Sequence, residues 1–118
     1  TLFGRPGYHP DIFSRYRSER KHAERAVISQ IVQGTAGDVI RFAKQAVVDY
    51  RDALSVECGQ QYPMTLHLTV HDELVISTED AESHIAPIET VMQLGQPFMP
   101  IPLVVDVTVG ETWEQCHK

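Results

Sequence analysis

His71, Asp72 and Glu73 put an imidazole and two carboxylates side by side between two apolar runs. Carboxylates are hard oxygen ligands suited to a divalent cation, and adjacent like charges cost energy unless something positive sits opposite them. On its own the triplet reads more readily as a solvated acidic turn than as a metal site. Upstream of it, Met64, Leu66, Leu68 and Val70 alternate with Thr65, His67 and Thr69, the period of a half-buried strand. Leu74-Val75-Ile76 follows after only three polar residues, so the two runs must fold back as a hairpin over 64–78 with the triplet at its tip. A tight hairpin turn favours Asn-Gly or Asp-Gly, because its central residues often need positive φ. This turn instead carries an imidazole and two adjacent carboxylates.

The elements that must hold this tip come from the rest of the 118-residue chain, which is long enough for one domain with a modest core. Thr1 to Phe13 carries Gly4, Pro6, Gly7 and Pro10 and reads as irregular structure continuing from something upstream. Ser14 can cap a helix, and Ser14 to Ser29 is charged and helical in composition. From Ile28 onward a stripe of Ile28, Ile31/Val32, Thr35, Val39, Ala43, Val47, Tyr50 and Leu54, spaced three or four apart, predicts one face of a long amphipathic helix against a core. Gly34 and Gly37 within it each cost about 1 kcal/mol relative to Ala, so they predict a bend or a close backbone approach. The connector at 59–63 leads into the hairpin. Glu79 to Leu94 predicts a second helix with Ile85, Ile88 and Val91/Met92 inward, stopped by Gly95 and Pro97. Leu103 to Val109 alternates as a last strand, and Trp113 in the short tail is expected to pack on the domain. Helices backing a small antiparallel sheet make the fold class α+β.

The net charge of -6 argues superficially against a polyanionic partner, but its distribution is uneven. Residues 1–51 hold nine Lys/Arg against five carboxylates, a balance of +4, whereas residues 52–118 hold one against eleven, a balance of -10. A basic half joined to an acidic half suits a protein that grips a polyanion with one part and binds cations with the other. No apolar run is long enough to span a membrane and no signal peptide is present. Cys58 and Cys116 lie far apart without metal-ligand spacing, so reduced thiols in a cytoplasmic setting are the simplest reading, with a single disulfide as the alternative.

Several segments in order resemble family A DNA polymerases of the bacterial polymerase I type, including their phage relatives. Thr1-Leu2-Phe3-Gly4-Arg5 followed by Pro10-Asp11-Ile12 resembles the segment leaving the fingers. Ala23-Glu24-Arg25-Ala26 and Gln33-Gly34-Thr35-Ala36-Gly37-Asp38 resemble the helix that carries DNA-contacting side chains. Val70-His71-Asp72-Glu73-Leu74-Val75 resembles motif C of the palm, and Pro102 to Val107, Gly110 and Trp113 resemble the C-terminal strand and tail. The resemblance divides the chain into 1–13 leaving the fingers, 14–58 contacting DNA, 64–78 as the motif C hairpin and 79–118 as helix and closing strand.

What the resemblance implies is metal-assisted nucleotidyl transfer, in which a primer 3′-hydroxyl attacks the α-phosphate of a dNTP and pyrophosphate leaves. It implies two Mg²⁺ ions about 4 Å apart, with Asp72 as a ligand and Glu73 acting on the site from beside it. It places His71 near the primer terminus, and Arg25, Ser29, Gln33 and Arg5 at primer-template DNA. Without the resemblance, Arg25 reads as a solvated arginine and Gln33 as a capping or core amide. Arg25 and Gln33 lie about 80° apart around an ideal helix, so they share a face loosely.

Ser29 stands where the family usually has Asn, Pro6-Gly7-Tyr8-His9 replaces a basic run, and Gly37 replaces a common Ala. The other catalytic aspartate, the fingers helix, the thumb and any exonuclease lie upstream of the matching region in the family. The chain is therefore expected to be inactive alone, to expose apolar surface, and to require an upstream polymerase chain, in the bacterial cytoplasm and with a phage origin open. A natural split enzyme is the favoured expectation, with a processing product beginning at Thr1 or a truncated polymerase as alternatives. A non-catalytic DNA-binding or structural module that keeps the motif C turn is the competing reading. An N-terminal-threonine hydrolase rests on Thr1 alone.

Overall fold

The computed structural model describes residues 1–96, 99 and 101–117. Its long helix α1 (Arg17–Cys58) is followed by strands β1 (Met64–Val70) and β2 (Glu73–Thr78), helix α2 (Ile85–Leu94) and a short tail helix α3 (Trp113–Cys116). Contacts divide the chain into two compact units, Thr1–Val39 and Ile40–Lys118, with α1 contributing to both. The class is α+β, compatible with a segment of a polymerase palm.

In the first unit the N-terminal segment lies on α1 through specific bonds. The Leu2 amide donates to Thr35 Oγ1 at 3.1 Å, and Arg5 Nε donates to Asp38 Oδ1 at 2.8 Å. Gly34 is where this docking needs a glycine, since a Cβ there would come within 2.9 Å of Thr1 Cγ2. Gly37 has open space instead, so of the two glycines only Gly34 serves a close approach. Ser14 bonds the Tyr16 amide at 3.1 Å, and the helix begins at Arg17 rather than at the cap itself. The apolar stripe departs from expectation here. Ala23, Thr35 and Asp38 are buried, while Ile28 and Val32 are each 66% exposed. The segment 1–13 reaches the stripe at Thr35, while Ile28 and Val32 stay outside its cover.

The second unit holds the core that supports the hairpin. Val47, Met64 and Ile88 are buried, with Tyr50, Tyr62, Leu74, Ile76, Val91, Met92 and Val107 packed against them. Each fully buried aliphatic side chain of this kind contributes about 2 kcal/mol relative to exposure. From Val39 to Leu54 the predicted stripe of α1 faces inward as expected, with Ala43 and Val47 buried. Gly59, at φ 71°, ends α1 in the left-handed conformation a helix C-terminus favours. Ser55 Oγ then accepts from the Tyr62 amide at 2.9 Å, tying the helix end to the entry of β1.

Three expectations are corrected. β1 and β2 pair antiparallel as predicted, but the register shifts between Leu66 and Leu68, so His67 is an extra residue bulging from β1. A bulge rephases the alternation, and Leu68 is accordingly 47% exposed rather than inward. The second helix begins at Ile85, after a 3-10 turn at Glu82–His84, not at Glu79. Pro87 explains this, because proline fits the first helical turn but not the interior. Finally, Leu103–Val109 alternates in burial only as far as Val107, with Val109 exposed, and joins no ladder; among the described residues the sheet has two strands. A strand exists only with a partner to receive its hydrogen bonds. Pro97, the predicted stop of α2, lies outside the described residues.

Beneath the hairpin sits a cluster the sequence does not announce. His84 is 4% exposed, with Tyr50 Oη 2.7 Å from Nδ1 and Tyr62 Oη 2.8 Å from Nε2. In the neutral imidazole one hydroxyl donates to the bare nitrogen and the other accepts from the ring N–H. Both tyrosine rings also meet the imidazole edge-on. Burial, then the nearby Tyr62 and Glu57, hold the Tyr50 hydroxyl neutral to higher pH than an ordinary phenol. The cluster links α1, the start of β1 and the start of α2, the three pieces that frame the base of the hairpin.

Candidate functional site

The hairpin closes with Val70 opposite Glu73, leaving His71 and Asp72 as a two-residue turn. His71 has φ 53°, and no other non-glycine residue among those described has positive φ. Positive φ at the first central residue only is the φ pattern of a type II′ turn, where glycine is the usual occupant. Histidine tolerates this conformation better than branched residues, yet it still costs about 1–2 kcal/mol. Strain of this kind persists only where surrounding structure imposes it, and it concentrates at functional sites. The ladder on either side imposes it here. His71→Gly is therefore expected to stabilise the hairpin by about 1 kcal/mol, since glycine's extra unfolded-state entropy offsets part of the relief. His71→Val, branched at Cβ, is expected to destabilise it. Amide exchange of residues 64–78 reads both, and a loss of protection in His71→Gly would contradict the strain.

His71, Asp72 and Glu73 are all exposed. The turn pins their backbones and leaves the Asp72 carboxylate in solvent. Cross-strand support comes from His67 and Ser77, 2.7 Å apart across the bulge. Glu73 has a neighbour from outside the hairpin in His117, Nε2 to Oε2 3.5 Å, a contact that sequence reasoning missed. The signal available was weak: an imidazole in a tail predicted only to pack Trp113. That tryptophan is 45% exposed, and its ring lies 5.4 Å from that of His117.

Arg25, Ser29 and Gln33 belong to the first unit. All three are exposed on α1 at steps of four residues, so they form a slowly turning line along one side of the helix. Arg25 Nε donates to the Lys21 carbonyl at 3.2 Å. Arg5 is placed differently: besides Asp38, its Nη2 donates to the Gly34 carbonyl at 3.0 Å. Its guanidinium anchors the N-terminal segment to the helix, with Asp38 only 6% exposed. Both cysteines are free thiols. Among the described residues no helix is long and apolar enough to cross a membrane.

A family model described as DNA polymerase family A matches residues 1–115. The DNA polymerase I of Pseudomonas aeruginosa is 35% identical over 118 residues, a match that covers 99% of this chain and 12% of that protein. The thermostable DNA polymerase I of Thermus filiformis is 39% identical, covering all of this chain and 13% of the relative. That of Thermus aquaticus is 36% identical over 115 residues, again 13% of the relative. The chain thus spans about one eighth of the length of these relatives. Because the match runs through the helix that carries Arg25 and Gln33, the strained hairpin turn and the tail, and nearly from end to end, the chain belongs to DNA polymerase family A.

Proposed function

We propose that this chain is the C-terminal palm part of a template-directed DNA polymerase, supplying the motif C carboxylates and primer-template contacts to nucleotidyl transfer. The observation that carries this reading is the hairpin turn. Two exposed carboxylates and a strained histidine stand on a ladder buttressed by a buried core, in a chain whose relatives are named DNA polymerase I. Asp72 and Glu73 offer only oxygen donors, the kind Mg²⁺ prefers. Among the described residues no group of three His, Cys, Asp or Glu could hold a metal by itself, so these two would supply part of a ligand shell. When bound there, Mg²⁺ supplies charge stabilisation to the phosphate undergoing transfer.

The chain's own residues divide the remaining work. Asp72, in the turn, presents a fixed negative charge at the reacting end of the hairpin. Glu73, at the first position of β2, adds a second carboxylate held slightly aside. His71 offers ring nitrogens at the tip where a primer terminus would lie. Arg25 neutralises a backbone phosphate, and Gln33 and Ser29 offer an amide and a hydroxyl to the duplex along the same helix. Exposed Val56 on α1 and Leu68 on β1 give an upstream polymerase chain apolar surface to cover. In this reading that partner brings the other catalytic aspartate, fingers and thumb, in a cytoplasmic enzyme that uses dNTPs and DNA, and neither chain works alone.

The helix is tested by binding. In the assembled polymerase, Arg25→Ala is expected to weaken primer-template affinity roughly tenfold and to lower the salt slope by about 1. Gln33→Ala should weaken affinity with the slope unchanged, because an amide releases no counterion. Ser29→Asn should leave affinity intact or improve it. Equilibrium titration of a labelled primer-template at several salt concentrations measures all three. Wild-type affinity in both alanine variants would remove the DNA-contacting role from α1.

A further inference from the structure

The tail beyond the core is folded on itself by specific contacts and brings His117 beside the hairpin. A Cβ on Gly110 would lie 2.9 Å from Gln115 Cβ and 3.2 Å from Cys116 Sγ, so the absence of a side chain there lets α3 fold back closely. Thr112 caps α3 by accepting from the Gln115 amide, and Gln115 Oε1 accepts from the Glu111 amide at 2.9 Å. His117 then stands beside the Trp113 ring with Nε2 3.5 Å from Glu73 Oε2.

We propose that His117 is a positioning residue for the catalytic turn: it holds the Glu73 carboxylate toward the tail and so fixes where the second carboxylate stands relative to Asp72. Adjacent carboxylates repel, and a turn with two of them has several side-chain arrangements of similar energy. An imidazole beside one carboxylate selects among those arrangements. The imidazole Nε2 stands 3.5 Å from Glu73 Oε2, close enough for the ring to occupy the tail side of that carboxylate. Both side chains are about half exposed, 48% for His117 and 46% for Glu73, which sets the scale at that of a surface pair. The inference rests on the polymerase reading of Asp72 and adds to it a residue from the far end of the chain.

The test uses the active polymerase assembly. His117→Ala is expected to lower single-turnover extension roughly two- to fivefold with primer-template affinity unchanged, the range of an exposed ion pair. His117→Gln, whose amide nitrogen reaches about as far as Nε2, should restore the rate. Without DNA or metal, Glu73→Gln and His117→Ala should each raise amide exchange in residues 112–117, because the contact is shared. An unchanged rate in His117→Ala, with Asp72→Asn inactive, overturns the positioning role and leaves the polymerase reading standing. Equal loss in His117→Ala and His117→Gln also overturns it, since shape against Trp113 would then be what matters. Full activity in Asp72→Asn removes the polymerase reading and this inference with it.

Discussion

Asp72→Asn in the assembled polymerase is expected to leave primer-template affinity within a fewfold and nearly abolish dNTP incorporation. Asparagine keeps the shape of the side chain and its place in the turn while removing the charge. A solvated turn aspartate changed in this way shifts stability by no more than about 0.5 kcal/mol and leaves activity alone. A carboxylate that holds charge against a reacting phosphate contributes several kcal/mol to the transition state, so the drop should exceed roughly a hundredfold. The two outcomes are well separated. Glu73→Gln should be milder, because Glu73 begins β2 and leans toward the tail rather than standing at the tip. The measurement is single-turnover extension at saturating DNA across a Mg²⁺ titration. Wild-type rates for Asp72→Asn would favour the module that keeps the motif C turn without its chemistry.

The largest stability effect should come from His84, a residue far from any reacting atom. Its two ring nitrogens satisfy the hydroxyls of Tyr50 and Tyr62 in a part-buried setting. His84→Ala removes both partners at once and leaves a cavity at the start of α2, a loss of about 2–4 kcal/mol. His84→Phe refills most of the volume but not the hydrogen bonds, so its cost separates packing from polar satisfaction. Tyr50→Phe or Tyr62→Phe should cost about 1 kcal/mol each. Combined with His84→Phe they should cost less than the sum, because the orphaned hydroxyl is then gone. Native-state amide exchange over residues 62–92 in the assembly reads these energies locally. If His84→Ala left protection across β1, β2 and α2 unchanged, the cluster would have no role in supporting the hairpin.

These expectations draw unequally on what is visible before folding. The long helix, the hairpin at 64–78 and the acidic tip are all encoded by residues a few positions apart, whose periodicity reports the local backbone directly. Family membership was legible for the same reason, since motif spacing along α1 and across the turn is itself a local pattern. The extra residue at His67 was not, because Leu66, His67 and Leu68 still alternate in sequence while the pairing with β2 shifts beneath them. Nor was the exposure of Ile28 and Val32, which depends on what the segment 1–13 covers.

The amino-acid sequence by itself determined the α+β class, the two elements that carry the candidate residues, and the identity of those residues. Tertiary structure alone decided what those residues touch. Arg5 meets Asp38 from 33 positions away and ties the N-terminal segment to the helix. Tyr50 meets His84 from 34 positions away, turning a histidine in an unremarkable acidic stretch into the support of the hairpin. His71 takes a left-handed backbone because β1 and β2 pair, and His117 reaches Glu73 because Gly110 lets the tail fold back. Local periodicity is set by steric and hydrogen-bond rules over one or two turns of chain. Which distant polar groups become partners is set by docking, where burial makes an unpaired group too costly to leave.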